Sequence, residues 1–339
     1  MSNSENNSSH LESAVSSFYE LTNKNGAQLK VIPFGATVTA LKIPLKNGEL
    51  VDVVLGFDTV EGYEKSFQLD GSPYMGATVG RYAGRINEGK FELNGKSYQL
   101  AINNGPNSLH GGIANFSKKN WNVDAVTTGE NPSIALSYVS AANEENYPGE
   151  LSVSLTYTLS EENELILEYK ATTTEDTIIN LTHHSYFNLD GHKSDVSGQD
   201  LIVHAQKVVE TREDCIPTGN ILEVANTAFD YRTAKKCPKS IDNTFVVENN
   251  DEVKATLFSP LTNLKMDVYT DQPGVHIYVG GNCGPDLKGK ENATYHALSG
   301  ICFETQNFPD APNHANFPSA VLKKDDVYKQ KTTYKFESL

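Results

Sequence analysis

The chain has 339 residues, 38% of them apolar and 21% charged, enough apolar material for a sizeable core and too much for a disordered chain. Its 28 basic and 43 acidic residues leave a net charge of −15, which repels phosphate backbones and anionic lipid heads and makes nucleic acid and membrane surfaces poor partners. No apolar run reaches the roughly 18 residues that a spanning helix needs, and although this length allows two domains, all-β folds of more than about 200 residues often form one.

Residues 1–15, which begin MSNSENNSSHLES, are polar and acidic with no apolar h-region. They read as a disordered tail, not as an export signal or transit peptide, and 16–339 as one domain. Without export, the Asn-x-Ser/Thr triplets at Asn7, Asn115, Asn180 and Asn292 are coincidences of sequence. Cys215, Cys237, Cys283 and Cys302 lack CxxC spacing and read as reduced, mostly buried thiols of a cytoplasmic protein.

Period-two alternation dominates the chain beyond this tail. FELNGKSYQL at 91–100 sets Asn94-Gly95 between alternating flanks, a hairpin signal. IALSYVS at 134–140, LSVSLTYTL at 151–159 and ELILEYKA at 164–171 form an antiparallel meander, with Ser160 to Asn163 as one turn. VKATLF at 253–258 and LKMDVY at 264–269 are a further pair, and VHIYV at 275–279 and TYKFES at 333–338 extend the pattern. Helical spacing is confined to the neighbourhoods of Leu11 to Tyr19 and Lys235 to Ile241. Strand and helix do not alternate, so the fold class is all-β: one large antiparallel domain.

Polar functional groups gather in five loop-like segments. Gly76 to Asn87 spaces glycines by four but lacks the Lys-Ser/Thr of a phosphate loop, so tight backbone packing beneath Arg81 and Arg85 is expected, with Arg85 placed to bind hydroxyls. Asn103 to Gly112 surrounds His110 with turn formers, and its glycines should leave one imidazole face open. In Asn180 to Leu189, His183 and His184 raise a metal reading that would need His192 and a distant carboxylate. Neighbours on a strand face opposite ways, however, so one histidine at most faces a given pocket. Asp242 stands at the entrance of an apolar run and alone reads as a turn residue. Glu304 follows an apolar strand and precedes a proline-rich stretch; a carboxylate desolvated between Phe303 and Phe308 would suit proton transfer near neutral pH.

Six segments, GATVGRYAGRI, NNGPNSLHGG, NLTHHSYFNL, Ile-Asp-Asn-Thr-Phe, QPGVHIYVGG and FETQNFPDAPN, stand in the order and spacing of the aldose 1-epimerases (galactose mutarotases). The chain resembles that family from Phe18 to Phe336. The resemblance implies a large antiparallel β-sandwich that interconverts the anomers of free hexoses such as galactose and glucose. By it, Glu304 is the catalytic base, His184 the acid, and His110 a second histidine near the ring oxygen, while Asp242 and Arg85 hold sugar hydroxyls. His276 stands where many relatives have a substrate-touching Gln, Gly84 and His183 where many have Asn. The chemistry implied needs no metal, nucleotide or covalent intermediate. The small-molecule substrate is the partner implied, and a monomer is the common state of the family, a dimer the alternative. Tyr186, Phe187 and Phe308 are candidates to pack on the sugar, Phe187 more readily as core. The competing readings are an epimerase of hexose 6-phosphates served by Arg81 and Arg85, a sugar-binding protein without catalysis, and a glycoside hydrolase pairing Asp242 with Glu304.

Overall fold

The computed structural model describes residues 18–281, 283 and 287–339. Two antiparallel sheets organise it. The larger has nine strands in the order Asn122–Thr127, Ser133–Ser140, Leu151–Leu159, Glu164–Thr173, Tyr328–Ser338, Leu264–Thr270, Ala255–Ser259, Asp200–Val203 and Lys235–Lys236. The smaller has six, in the order Tyr186–Phe187, Ile301–Gln306, Gly274–Val279, Ile241–Val246, Lys207–Thr211 and Pro217–Glu223.

The meander forms as its alternation requires. Leu151, Val153, Leu155, Tyr157 and Leu159 are buried and pair across with Thr173, Ala171, Tyr169, Leu167 and Leu165 in turn, all buried as well, so one face is continuous core. A one-residue slip would turn that whole set outward, which fixes the register. The Ser160–Asn163 turn is closed by a bond from Ser160 N–H to the Glu164 carbonyl, with Asn163 at φ 57°. Asn94 and Gly95 both take positive φ, 51° and 74°, as a two-residue hairpin between Lys90–Leu93 and Lys96–Gln99 demands. Strand Tyr328–Ser338 lies in the middle of the large sheet, between Glu164–Thr173 and Leu264–Thr270.

The two sheets share one core. Ile301, Phe303, Val275, Ile277, Val279, Ile241 and Phe245 of the smaller sheet pack with Met266, Val268, Tyr334 and Phe336 of the larger. Three bonds fasten the layers where the site will stand: the Tyr334 hydroxyl to the Phe303 carbonyl at 2.8 Å, Gln330 Nε2 to the Thr305 carbonyl at 2.9 Å, and Thr305 Oγ1 to Thr332 Oγ1 at 2.6 Å.

One helix expectation does not hold, and most of the other falls outside the described residues. Lys235 to Ile241 is not helical: Lys235–Lys236 is an edge strand and Ile241 opens a strand of the smaller sheet. Pro238 explains this, because it donates no N–H and pushes Cys237 toward extended backbone. Of the stretch Leu11 to Tyr19, residues 11–17 and the whole 1–15 tail lie outside the described residues, and Tyr19 opens the strand Tyr19–Thr22. The α-helix among the described residues is Val60–Ser66, unmarked by apolar periodicity because it spans seven residues with Gly62 inside. Its end signals were present: Thr59 Oγ1 accepts from Gly62 N–H, and Glu61 pairs with Lys65 at 2.6 Å.

Beside this helix a polar cluster is sealed inside. Lys290 Nζ reaches Asp52 Oδ2 at 2.7 Å and the Thr39 carbonyl at 2.7 Å. His192 Nε2 lies 3.4 Å from Asp52, and its Nδ1 lies 3.2 Å from the Tyr295 hydroxyl. Burial works against the Asp52 charge, but Lys290 and His192 outweigh it and hold the carboxyl well below its usual range.

Candidate active site

The smaller sheet turns its second face toward a pocket. Antiparallel register sets Thr244 opposite His276 and His276 opposite Glu304, while Asp242 faces Tyr278. The period of two that sends Phe303 into the core sends Glu304 the other way, so three strands present their polar side chains to one cavity. Arg85, His110, His184, Asp242, His276 and Glu304 all line it, together with Gly84, Thr244, Tyr278, Gln306, Pro309 and Cys215. Glu304 is 3% exposed, but it is not held between Phe303 and Phe308 as expected. Phe303 packs in the inter-sheet core and Phe308 in a separate cluster with Tyr82 and Phe317, so imidazoles are its neighbours instead.

The paired histidines divide as strand geometry requires. His183 points inward, its Nε2 2.7 Å from Ser185 Oγ and its ring 6.0 Å from that of Tyr157. Burial, with His184 adding to it, pushes its pKa down to about 3, so it is neutral core. His184 points into the pocket, with Nε2 3.5 Å from Glu304 Oε1 and Nδ1 3.7 Å from Cys302 Sγ. Its ring is flanked by Tyr186 at 5.3 Å, His110 at 5.5 Å and Tyr74 at 6.2 Å.

His110 sits at φ 54° and is tied twice to Gly84: its backbone N–H donates to the Gly84 carbonyl, and Gly84 N–H donates to its ring Nδ1 at 3.2 Å. An Nδ1 that accepts leaves the ring proton on Nε2. Burial first, then the neighbouring His184 and Arg85, lower the pKa of His110 well below its ordinary value, so the ring is a neutral donor. One of the glycines behind it has a packing role of its own. A Cβ on Gly111 would stand 2.1 Å from the Gly80 carbonyl oxygen, so Gly111 permits close backbone approach.

Asp242 accepts from His276 Nε2 at 2.8 Å and faces Arg85 at 3.6 Å, while Arg85 Nε donates to Asn104 Oδ1 at 3.0 Å. Burial opposes the Asp242 charge, yet His276 and Arg85 keep the carboxyl well below its usual range. His276 Nδ1 meets Thr244 Oγ1 at 2.9 Å. Burial favours the neutral ring of His276, but Asp242 and Glu304 prevail and raise its pKa.

Arg81 departs from the reading that put it at a phosphate. It is 2% exposed and donates to the carbonyls of Ser140, Pro148 and Gly149 and to Ser140 Oγ, away from the pocket. Phe187 is core, its ring 4.8 Å from Tyr334. Tyr186 is buried, and Tyr278 is the aromatic that lines the pocket. Thr244, Gln306 and Tyr278 were missed, although each lies two residues from a residue already singled out, and period two alone would have found them. His192, which a metal reading of the paired histidines would have required, is instead bound to Asp52 and Tyr295. One donor atom each from His110, His184 and Glu304 does lie within 4.8 Å of the others, a set equally suited to moving protons.

The family model for aldose 1-epimerase matches residues 17–335. A galactose mutarotase of Bos taurus is 41% identical over 320 residues, covering 91% of both chains, and that of Homo sapiens is 40% identical over the same share. Among solved structures, an aldose epimerase homologue from C. elegans superposes with a TM-score of 0.87 at 32% identity, covering 96% of this chain and 99% of its own.

Proposed function

The chain belongs to the aldose 1-epimerase family, and on that premise we propose that Glu304 and His184 open and reclose the hemiacetal of free hexoses, galactose and glucose, so that the two anomers interconvert. The observation that carries this reading is the approach of His184 Nε2 to Glu304 Oε1, 3.5 Å apart in the lining of one pocket. The C1 hydroxyl and the ring oxygen share one carbon, so the groups that serve them must be close neighbours. Glu304 takes the proton of the C1 hydroxyl while His184 gives one to the ring oxygen. Rotation about C1–C2 exposes the other carbonyl face, and the two groups exchange roles on closure.

His110 contributes a neutral Nε2–H beside the ring oxygen, where it stabilises developing charge without competing as the acid. Asp242 and Arg85 bind hydroxyls as a pre-formed ion pair, each held by a second partner, His276 or Asn104. The hexose 6-phosphate reading lacks its arginine cluster, because Arg81 is consumed by backbone carbonyls and Arg85 is the arginine that lines the pocket. The reading extends to a monomer working in the cytoplasm, supported by four free thiols. No helix among the described residues is long and apolar enough to cross a membrane.

Polarimetry tests the proposal. Freshly dissolved α-D-galactose should relax faster with the protein than alone, and Glu304→Gln should remove the acceleration. A folded Glu304→Gln or His184→Asn enzyme that keeps the wild-type rate would sink the assignment.

A further inference from the structure

Gln306 closes the strand that carries Glu304. It lies two residues further on and therefore on the same face, and it lines the same pocket. It is 1% exposed, yet its Oε1 has no hydrogen-bond partner among the described residues. The buried amides around it are used up in structural bonds. Asn307 Nδ2 donates to the carbonyls of Pro318 and Ser319, and Asn180 Nδ2 donates to those of Ala83 and Asn307. Buried polar atoms are normally paired, so an amide left over in a pocket wall marks a place where a ligand supplies the partner.

We propose that Gln306 is a substrate-binding residue, one that takes a hexose hydroxyl on the side of the ring away from C1. The inference rests on the reading of Glu304 as the group at the C1 hydroxyl. Two strand residues advance about 7 Å, which is close to the width of a pyranose with its hydroxyls. A sugar held at C1 by Glu304 therefore presents its C3, C4 or C6 hydroxyl to Gln306. An amide suits a hydroxyl because both donate and accept, and the broad two-fold terminal torsion brings either end of the amide to the ligand.

The test is the mutarotation of D-galactose and its 3-deoxy, 4-deoxy and 6-deoxy analogues by wild type and Gln306→Leu. Wild-type acceleration on galactose establishes the reaction first. Its absence would overturn the reading of the site, and the inference with it. Given that activity, Gln306→Leu should raise KM for galactose about tenfold with kcat little changed, the signature of binding lost equally from ground and transition states. One deoxy sugar should be penalised in wild type and suffer no further penalty in the variant. Unchanged KM in a folded variant, or deoxy penalties identical in both enzymes, would overturn the inference. Gln306→Met, nearly the same volume without the amide, repeats the comparison if Leu disturbs the strand.

Discussion

Two clusters of ionisable side chains are buried in this molecule, and they differ in what is left over. Around Asp52, Lys290, His192 and Tyr295 the groups satisfy one another: Lys290 has a carboxylate and a carbonyl, and His192 has a partner at each ring nitrogen. Around Glu304 the groups converge without closing. His184 and Glu304 stand 3.5 Å apart and both line a cavity, and Gln306 Oε1 is unpaired among the described residues. A closed polar cluster fastens a loop to the body; an open one is completed by something that enters.

The comparison breaks most sharply on activity. Glu304→Gln and His184→Asn should each lower the mutarotation rate by about 10²–10⁴-fold, the usual worth of a positioned proton transfer, while thermal midpoints stay near wild type. Asp52→Ala should do the reverse. It strands Lys290 without its carboxylate and should cost about 3–5 kcal/mol in urea unfolding, with kcat unaltered below the transition. Equal loss of activity in both sets of variants would erase the distinction.

A smaller effect separates the clusters by pH. The Asp52 carboxyl is depressed in the folded state, so its contribution is complete above the unfolded value of about 4 and fades as pH falls toward the folded one. The stability gap between wild type and Asp52→Asn should therefore narrow below about pH 4, and a gap that stays constant to lower pH would refute the assignment. The smallest effect belongs to His276, whose pKa is raised by Asp242 and Glu304 against burial. Its contribution is complete below about 6.5 and is lost as pH rises through the folded value. His276→Gln should flatten that alkaline decline in the unfolding midpoint, whereas parallel declines would show that His276 adds no charge to the folded state.

The sequence made the fold legible wherever one face of a strand meets the core, as in 151–159 and 164–171, because alternation records which side is dry. Through their motifs it singled out Glu304 and His184, which line one pocket, and it placed His183 and His184 on opposite faces by strand geometry alone. Arg81 escaped because its partners are main-chain carbonyls from Ser140 to Gly149, and a carbonyl leaves no mark in the residue string. Gln306 escaped because the period of two was not carried one step past Glu304 to the end of the same strand. The Val60–Ser66 helix escaped because it is too short to show a period.

The place of strand Tyr328–Ser338 carries a consequence for synthesis on the ribosome. Meander strands made much earlier can pair among themselves, but the centre of the large sheet stays vacant until translation has passed Ser338. The residues that reach Phe303 and Thr305 from behind, Gln330, Thr332 and Tyr334, arrive on that same strand. Nascent or truncated chains therefore lack the backing that holds Glu304 toward His184, and chemistry on the sugar begins only after the sheet has been filled.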